Sequence, residues 1–400
     1  MVAKFALKTV SATGEVQGGR QVNRERTRGV LVPYLRVANV FDGYIDFSDV
    51  NTMAFSHEEL ERFRLIKGDI LLNEGQSIEL VGRAALYEGG PRYCCYQNTL
   101  IRYRAGPDVD PNFAIQLFRY CQKNGVFARA AVRTNSIAHL GVSRFAELKL
   151  PFPRFLSEQS KIAEILKTWD EALEKLAALR STKEKRLNSL RAELLFGGRR
   201  LDGQQRRWKS TRLASVTHEL TNRNGTEGLS REYVMGVSKA QGIVPMREQT
   251  ISGDISRYKR LPPRAFAYNP MRINVGSIAM NNREEEVLVS PDYVIFACNP
   301  DGLYPDYLDH LRKTRWWAHY INSGGSGSVR QRTYYDDLAA LKPPLPDVDE
   351  QQDILAVLNT ARDDLAATER EVEALIRQKR GLMQKLLTGK WRVNIEEMSA

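Results

Sequence analysis

The chain has 400 residues, of which 42% are hydrophobic and 27% are charged, a composition typical of two or three globular domains and unlike that of disordered or fibrous proteins. Its formal net charge of +11 indicates a polyanionic partner without naming one. No run of about 18 apolar residues occurs and the start lacks a signal-peptide core, so we expect a cytoplasmic protein without a membrane span.

The few cysteines and histidines favour neither a disulfide framework nor a metal site. No two of the four cysteines have CxxC spacing, and the five histidines are scattered along the chain. We therefore expect reduced, buried thiols and no metal ligands. The cysteines are Cys94, Cys95, Cys121 and Cys298.

Residues 1–154 predict a mixed unit of short strands, turns and helices. Runs of β-branched and aromatic residues bounded by turn residues favour strands, and the charged run after position 56 has helical composition. Pro151 and Pro153 exclude a helix across the end of this unit. The predicted strands lie within 32–46, 67–75 and 94–104, and the predicted helices lie at 57–65 and from Pro111 onward.

A long helix is predicted over 155–198, because its apolar residues alternate in steps of three and four, the spacing of a coiled-coil seam. A helix of about 40 residues is about 60 Å long. Such a helix can separate other parts of the protein as well as bury apolar residues. Arg180 and Lys183 interrupt the seam, and polar residues at such positions usually fix register or partner. The apolar seam residues are Ile162, Leu166, Trp169, Leu173, Leu176, Leu187, Leu190 and Leu194.

The helix pattern occurs twice. Glu158-Gln159 opens the first copy and Glu350-Gln351 opens the second, 350 − 158 = 192 positions later. The second helix is therefore predicted over 347–390. Its polar seam positions are Thr368 and Lys379.

A second globular unit is predicted between the helices, over 199–346. It repeats the order of the first unit's motifs, as when Val275-Gly276 follows Val81-Gly82 by 275 − 81 = 194 positions. The chain therefore reads as unit, helix, unit, helix, with a tail at 391–400.

Ordered motifs in both halves of the chain carry a family resemblance. The first half contains PYLRVANVFDG, GDILLNEGQSIELVGR and YQNTLIR, then the entry LKLPFP…EQSKIAEIL into the long helix. The second half contains YNPMRINVGS, VSPDYVIF, LKPPLPDVDEQQDIL and LMQKLLTGKWRV. Together they resemble the DNA-specificity subunit (S, HsdS-type) of a type I restriction–modification system, over nearly the whole chain. One departure is that the second helix entry lacks a counterpart of Lys161.

The resemblance implies an α+β fold. Two globular target-recognition domains are expected, separated by two long antiparallel coiled-coil spacer helices with pseudo-twofold repeat symmetry. The implied boundaries are 1–154 and 199–346 for the recognition domains, and 155–198 and 347–390 for the conserved spacer helices.

The function implied by the resemblance is DNA recognition without catalysis. Each recognition domain is expected to read one half of a bipartite site in double-stranded DNA, while the helices set the spacing and dock two methyltransferase subunits. Nuclease-translocase subunits complete the restriction complex. S-adenosylmethionine, ATP and Mg²⁺ are expected on these partner subunits, and this chain is expected to hold no cofactor and no metal.

The alternative from another class is a self-contained DNA-modifying or DNA-cleaving enzyme. Pro107-Asp108 with Glu147 and Lys149 fits the loose PD…ExK pattern that holds Mg²⁺, but three-residue matches are common by chance. Asn269-Pro270 and Asn299-Pro300 lack the aromatic fourth residue of adenine-methyltransferase tetrads, and turn chemistry explains both better. A third hypothesis makes the helices an oligomerisation device.

Candidates for base reading are polar side chains in predicted turns and loops. Arg can fork onto guanine and Asn or Gln onto adenine, whereas a solvated or turn-capping role is the alternative for each residue. In the first unit the candidates are Gln76, Ser77, Arg83, Gln97 and Asn98. In the second unit they are Lys239, Arg272, Asn274, Asn281, Asn282 and Arg283.

Candidates for phosphate contact lie in basic runs and in one predicted loop of each unit. Cationic and small polar side chains, or glycine-rich backbone beside arginines, can approach a phosphate closely. A flexible surface loop without DNA contact is the alternative for the Gly/Ser stretch of the second unit. The candidates are Arg20, Arg24, Arg133, Thr134 and Asn135 in the first unit and Ser326, Arg330 and Arg332 in the second.

Overall fold

A computed structural model describes residues 5–21, 29–91, 93–201, 208–226, 228–323 and 332–394. The chain divides into two compact units, one formed by Met1–Leu176 with Glu371–Ala400 and the other by Ala177–Arg370. Within the described ranges no helix has both the length and the apolar character that crossing a membrane requires. The finer domain boundaries inferred from the sequence remain a prediction.

The first unit contains short strands and helices in the order that its motifs predicted. Ser56 and Glu59 form a capping box at the start of the first helix, and Asp110 caps the second, which opens on Pro111. The helices are α1 (His57–Phe63), α2 (Pro111–Lys123), α3 (Val126–Ala130) and α4 (Val142–Glu147). The strands are β1 (Ala6–Thr9), β2 (Gly14–Gly18), β3 (Val30–Leu35), β4 (Asn51–Phe55), β5 (Ile70–Asn73), β6 (Gly75–Gln76), β7 (Ala84–Leu86), β8 (Cys95–Tyr96), β9 (Leu100–Ala105), β10 (Val132–Thr134), β11 (Ile137–His139) and β12 (Lys149–Phe152).

A four-stranded antiparallel sheet with the order β2-β9-β5-β7 is the centre of the first unit. Every residue of β5 is buried, because both faces of the sheet are covered. Ile70 and Leu72 face the main core, whereas Leu71 faces a second apolar cluster beneath the sheet β4-β3-β8. The main core includes the buried rings of Phe113 and Phe118.

The second unit repeats this plan. Its central sheet has the order β14-β21-β18-β19. These four strands correspond in turn to β2, β9, β5 and β7 of the first unit, so the order of the strands is the same in both sheets. These strands are β14 (Thr217–Leu220), β18 (Phe266–Tyr268), β19 (Ile278–Met280) and β21 (Val294–Cys298). The others are β13 (Lys209–Ser210), β15 (Met235–Ser238), β16 (Gly242–Pro245), β17 (Lys259–Leu261), β20 (Val287–Val289) and β22 (Pro344–Leu345), with helices α6 (Pro305–Leu311), α7 (Arg315–Ser323) and α8 (Tyr335–Ala339). The predicted repeat is therefore confirmed at the level of strand order.

Two long helices, Leu156–Leu194 and Val348–Leu387, continue from one unit into the other. We label the first helix, α5 in chain order, L1 and the second, α9, L2. In the first unit Ile162 at the start of L1 shares a core with Leu386 at the end of L2. In the second unit Leu187 near the end of L1 shares a core with Leu358 near the start of L2. The helices therefore pack antiparallel within each unit, as expected.

The end of each long helix is set by a glycine. Gly197 and Gly389 adopt positive φ angles of 69° and 70°, a conformation that side chains with a Cβ rarely adopt. A Cβ on Gly389 would lie 2.8 Å from the Phe5 ring, so space as well as backbone conformation requires glycine there.

Gln159 connects the first unit to its long helix. Its Oε1 accepts a hydrogen bond from Asp110 N at 2.9 Å, and its Nε2 donates to the carbonyl oxygens of Asp108 and Pro153 at 3.0 and 3.1 Å. The side chain is 1% exposed. One buried amide therefore fixes the loop before α2 to the turn that enters L1.

Gln351 makes the corresponding contacts in the second unit. Its Oε1 accepts from Tyr304 N at 3.0 Å, and its Nε2 donates to the carbonyl oxygens of Gly302 and Pro346 at 3.0 and 3.2 Å. Because Gln351 lies 192 positions after Gln159, the repeat in the sequence is also a repeat of individual hydrogen bonds.

The glutamates that precede these glutamines bind an arginine beyond the end of the opposite helix. Glu158 is 1% exposed and accepts a bidentate pair from Arg392, with Nη2 at 2.7 Å from Oε2. Arg392 also covers the Phe5 ring at 5.2 Å. Charge-assisted bidentate bonds are among the stronger polar contacts in proteins, so this pair holds the two helix ends together.

The second unit has the same arrangement with different neighbours. Arg200 Nη2 donates to Glu350 Oε2 at 2.8 Å, and Trp208 Nε1 donates to the same oxygen at 3.0 Å. Trp208 takes the place that Phe5 has in the first unit, since the Arg200 guanidinium lies 5.7 Å from its ring.

Polar seam residues of the second unit contact the opposite helix. Lys183 Nζ donates to Asp364 Oδ1 at 2.7 Å and to Thr368 Oγ1 at 2.9 Å. Arg180, the other polar position of L1, is exposed. That these residues fix the helix register stays a prediction.

A polar cluster also lies in the helix seam of the first unit. Lys379 is 6% exposed and forms an ion pair with Asp170. Asp170 also accepts hydrogen bonds from Gln116 at 2.9 Å and from Arg119 at 3.3 Å, both on α2. The carboxylate therefore joins both long helices to the globular part of the unit.

The described cysteines are free and buried, as predicted. Burial raises the pKa of each thiol to about 12, so the thiols stay protonated at neutral pH.

We expect Gln159→Leu to lower the free energy of unfolding by roughly 3 kcal/mol, because it leaves one buried amide and two carbonyls without partners. Urea denaturation followed by circular dichroism measures the loss, and hydrogen exchange should show faster exchange of the Asp110 amide. Gln378→Leu, at an exposed position of L2, is the matched control and should change stability by less than about 0.5 kcal/mol. Equal stability of the two variants would contradict the role assigned to Gln159.

Candidate nucleic-acid interface

Five candidate residues of the first unit lie at one edge of its central sheet. Leu72 of β5 pairs with Ile101 of β9 in antiparallel register, so β5 ends at the edge where β9 begins. The same register places the start of β7 there, and Asn73 N donates to Arg83 O at 2.9 Å. This first polar edge consists of Gln76, Ser77, Arg83, Gln97 and Asn98.

A short hairpin adds further candidates to the first polar edge. Its second strand, β11, pairs with β6, with Ala138 opposite Gln76. The sequence predicted a loop at Arg133 to Asn135, whereas Arg133 and Thr134 lie on β10 and the hairpin turns at Asn135. The φ of 52° at Asn135 explains the difference, because asparagine tolerates the left-handed conformation that tight hairpin turns require.

Electrostatic contacts confirm that these segments lie close together. The pKa of Glu79 is lowered by a hydrogen bond from the backbone of Glu79 and by one from the Ser77 hydroxyl. The positive charge of Arg133 also lowers this pKa. Arg83 lies over the Phe41 ring at 4.8 Å. Its Nε has no hydrogen-bond partner among the described residues. Arg133, Thr134 and Asn135 are all exposed.

Arg20 has a structural role that its sequence context did not reveal. It is 7% exposed, its Nη1 donates to Ala54 O at 2.6 Å, and its Nε lies 2.9 Å from Glu59 Oε1. The guanidinium also covers the Phe55 ring at 4.9 Å. A buried, paired arginine is not available for the phosphate contact that the sequence predicted. The predicted role of Arg20 is therefore corrected to a structural one, in which it holds the segment after β2 against β4 and α1. Arg24 lies outside the described residues.

The second unit places Arg272 and Asn274 at the equivalent edge. Tyr268 at the end of β18 pairs with Val294 at the start of β21, so the segment between β18 and β19 emerges at that edge. Arg272 and Asn274 are exposed there.

Lys239 and Arg332 approach the same segment from elsewhere in the chain. Lys239 lies in the turn after β15, and a Cβ on Gly276 would lie 3.1 Å from Lys239 Cγ. Thr333 N donates to Pro270 O at 3.0 Å, which places its neighbour Arg332 beside this segment. The second polar edge consists of Lys239, Arg272, Asn274 and Arg332. Ser326 and Arg330 lie outside the described residues.

Three candidates of the second unit do not join this edge. Asn281, Asn282 and Arg283 follow β19 and therefore lie at the opposite edge of the sheet. Asn281 is 0% exposed, and its Nδ2 donates to Leu261 O at 3.1 Å and to Glu285 O at 3.0 Å. Its Oδ1 accepts from Arg283 N at 3.1 Å. The prediction that Asn281 reads a base is thus corrected to a turn-shaping role.

Two basic residues near the second polar edge, Arg223 and Lys259, were missed by the sequence reasoning. Arg223 follows β14, bridges to Lys259, and donates from Nη1 to Arg257 O at 3.0 Å. Lys259 Nζ donates to Tyr293 O at 2.7 Å, and burial lowers the pKa of Lys259. Arg223 lies 223 − 20 = 203 positions after Arg20, so extending the repeat to the N-terminal strand of each unit would have found it.

The residues of the alternative enzymatic hypotheses form no metal centre. Asp108, Glu147 and Lys149 are exposed. Across the described ranges, no group of three or more His, Cys, Asp or Glu side chains could hold a metal ion. Asn269 Oδ1 accepts from Met271 N at 2.9 Å, the turn chemistry that the sequence favoured.

Known proteins with similar sequences share the type I restriction–modification label. Residues 8–181 match the family model described as the type I restriction modification DNA specificity domain. A Methanocaldococcus jannaschii protein, named as a specificity subunit of the type I restriction enzyme MjaX, is 23% identical over 395 residues, covering 90% of this chain and 87% of that protein.

Solved structures show the same fold at low sequence identity. The S subunit of a type I restriction–modification system from M. genitalium matches with a TM-score of 0.55 and 16% identity, covering 96% of each chain. A chain from a study of complex assembly and conformational transition of the type I system matches with a TM-score of 0.57 and 16% identity, covering 97% of this chain and 98% of that one.

A repeated pair of mixed strand-and-helix units, each packed on two antiparallel helices, defines an α+β scaffold with a polar edge in each unit. Together with the family match over 8–181, this fold confirms the resemblance seen in the motifs. Residues 8–181 therefore match the DNA specificity domain of type I restriction–modification systems, and the chain as a whole has the fold of the solved S subunit.

We expect Arg133→Ala to weaken the affinity of the full-length chain for duplex DNA similarly for all sequences, because a hairpin cation contacts phosphate rather than bases. The slope of log affinity against log salt, measured by fluorescence anisotropy, should fall by about one. Lys67→Ala is the matched control, since Lys67 is exposed and precedes β5 at the opposite edge of the sheet. The placement of the interface would be refuted if Lys67→Ala lowered the slope of log affinity against log salt and Arg133→Ala left it unchanged.

Proposed function

We propose that each unit reads one half of a bipartite site in double-stranded DNA through its polar edge. One observation carries this proposal. In each unit, polar residues that are far apart in the sequence lie together at one edge of the central sheet, and this edge is the equivalent one in both units. Cations there suit phosphates, and amides and guanidinium groups suit base edges. In this proposal the recognition domains comprise 1–154 and 199–346.

The long helices set the separation of the two half-sites in this proposal. They are 39 and 40 residues long, and at 1.5 Å per residue each is about 60 Å in length. The repeated glutamine and glutamate contacts at the helix entries support a fixed geometry in each unit.

Catalysis belongs to partner subunits. Two methyltransferase subunits, which would bind S-adenosylmethionine, dock on this chain, and nuclease-translocase subunits use ATP and Mg²⁺. The chain itself is a non-catalytic component that works on chromosomal DNA in the cytoplasm. The family match and the named relative support this assignment, since both denote specificity rather than an activity.

The isolated chain should neither methylate nor cleave DNA, whereas the complex with its partner subunits should retard a duplex that carries the correct split site. Binding should weaken steeply as salt rises, because counterions are released from the phosphates. A variant with Asp108, Glu147 and Lys149 all changed to alanine should leave the activity of the complex unchanged. Turnover by the isolated chain, lost in that variant, would establish the enzymatic alternative instead.

Inserting one heptad at matching positions of both long helices should lengthen the unread gap by about three base pairs. Seven residues add about 10 Å of helix, and each base pair adds about 3.4 Å of duplex. The seam register survives such an insertion, so both half-sites should keep their sequence. Sequencing of methylated sites measures the gap, and an unchanged gap would rule out the helices as its determinant.

A further inference from the structure

A cavity of about 600 Å³ in the second unit is lined by cations. It lies between the last three turns of L1 and the segment that joins α6 to α7. None of the residues that line it, all of them within the described ranges, is acidic. The cations are Lys185, Arg191, Lys313 and Arg315.

Arg191 is a buried charge without a carboxylate partner. It is 8% exposed, its Nε donates to His310 Nδ1 at 3.2 Å, and its Nη1 donates to Asn188 Oδ1 at 2.9 Å. Both partners are neutral, because burial lowers the pKa of His310 to about 4. Burial also lowers the pKa of Arg191. A buried guanidinium is usually paired with an anion, so this site has an excess of positive charge.

The nearest carboxylate in this region is already shared. Asp309 accepts from Arg312 Nε at 2.8 Å and from Lys313 Nζ at 2.6 Å. Lys185 and Arg315, at the exposed rim of the cavity, form no ion pair with any residue that the structure describes. One negative charge therefore faces several positive ones.

The first unit provides an internal comparison. Its corresponding cavity, of about 360 Å³, is lined by the cations Arg119, Lys123, Lys379 and Arg380, but also by the carboxylate of Asp170. Asp170 pairs with Lys379 and Arg119 and has a lowered pKa despite its burial, to which Lys379 and Arg119 contribute. That cavity therefore contains a carboxylate that pairs with two of its cations, which the cavity of the second unit lacks.

The two cavities occupy equivalent places in the repeat. Lys313 lies 313 − 119 = 194 positions after Arg119, and the helix residues follow the offset of 192 that relates Gln159 to Gln351. At that offset the counterpart of Asp170 is residue 362, an arginine. The second unit thus has an arginine where the first has the pairing carboxylate, and that arginine pairs with Asp306 and Asp363.

We propose that the cavity of the second unit binds a phosphoryl group, with one site per chain. Two guanidinium groups and two ammonium groups around a common space suit the several oxygens and the multiple negative charge of a phosphate better than they suit those of a single carboxylate. The phosphoryl group belongs either to a free phosphorylated molecule or to the DNA backbone. This inference goes beyond the proposed function and does not depend on it.

Calorimetric titration of the full-length chain with inorganic pyrophosphate at constant ionic strength tests the site. Saturable binding with a stoichiometry of one is expected, because only one of the two equivalent cavities lacks its own carboxylate. Arg315→Ala and Lys185→Ala should each weaken the affinity by about tenfold, the effect of losing one charge-assisted hydrogen bond. Both side chains are exposed, so the fold should tolerate their removal.

Arg380→Ala removes an exposed cation from the cavity of the first unit, which contains Asp170, and is the matched control. It should change pyrophosphate affinity by less than about twofold, as a distant surface substitution does. The proposal fails if no saturable binding occurs, if two equivalent sites titrate, or if Arg380→Ala weakens binding as much as Arg315→Ala does.

Duplex DNA distinguishes the two sources of the phosphoryl group. If DNA supplies it, pyrophosphate should compete with duplex, and Arg315→Ala should lower the salt slope of duplex binding by about one. If a free phosphorylated molecule supplies it, the slope should not change and pyrophosphate should bind equally well in the presence of duplex. Both results retain the site and assign its source.

Discussion

The buried glutamine at the entry of each long helix is the contact on which the rest of each unit depends. A proline-rich turn precedes each entry, and proline cannot supply a backbone donor to continue a strand or helix through it. Gln159 and Gln351 provide the missing connection, since each satisfies one amide and two carbonyls that belong to two different segments of its unit. The direction in which a helix leaves its unit is therefore set by directional bonds and not by apolar contact alone.

The interior and the polar edge of each unit obey different constraints. The sheet order and the helix contacts are the same in both units, because buried residues must satisfy packing and hydrogen bonding. The edges differ in chemistry. The first contains the amides of Gln76, Gln97 and Asn98, whereas the second contains mainly cations such as Lys239 and Arg272. Exposed side chains contribute little to stability, so one scaffold can present two different surfaces, as the reading of two different half-sites would require.

The sequence alone predicted the features that depend on periodicity and repetition. The seam spacing predicted both long helices, and the offset of 192 aligned Gln159 with Gln351 at the openings of the two helices. It could not distinguish a basic residue that faces solvent from one that is buried. Arg20 and Arg133 both lie in basic segments, yet one is paired beneath a ring and the other is exposed on a hairpin. Such differences depend on strand register, which arises from contacts between distant parts of the chain.

We expect the polar residues of the helix seam to favour the antiparallel orientation more than they add stability. Along each long helix an acidic residue precedes a lysine, as Asp170 precedes Lys183 on L1 and Asp364 precedes Lys379 on L2. Antiparallel packing brings Lys379 to Asp170 in one unit and Lys183 to Asp364 in the other.

A parallel arrangement at the offset of 192 would instead place Lys379 opposite Leu187 and Asp170 opposite Arg362. Lys379, at 6% exposure, would then be buried against an apolar side chain without a carboxylate, which costs several kcal/mol. Buried ion pairs add little net stability compared with apolar residues of similar size, but their loss in a wrong arrangement is expensive. The seam charges therefore act by penalising the parallel alternative, and the apolar residues on either side supply the attraction between the helices.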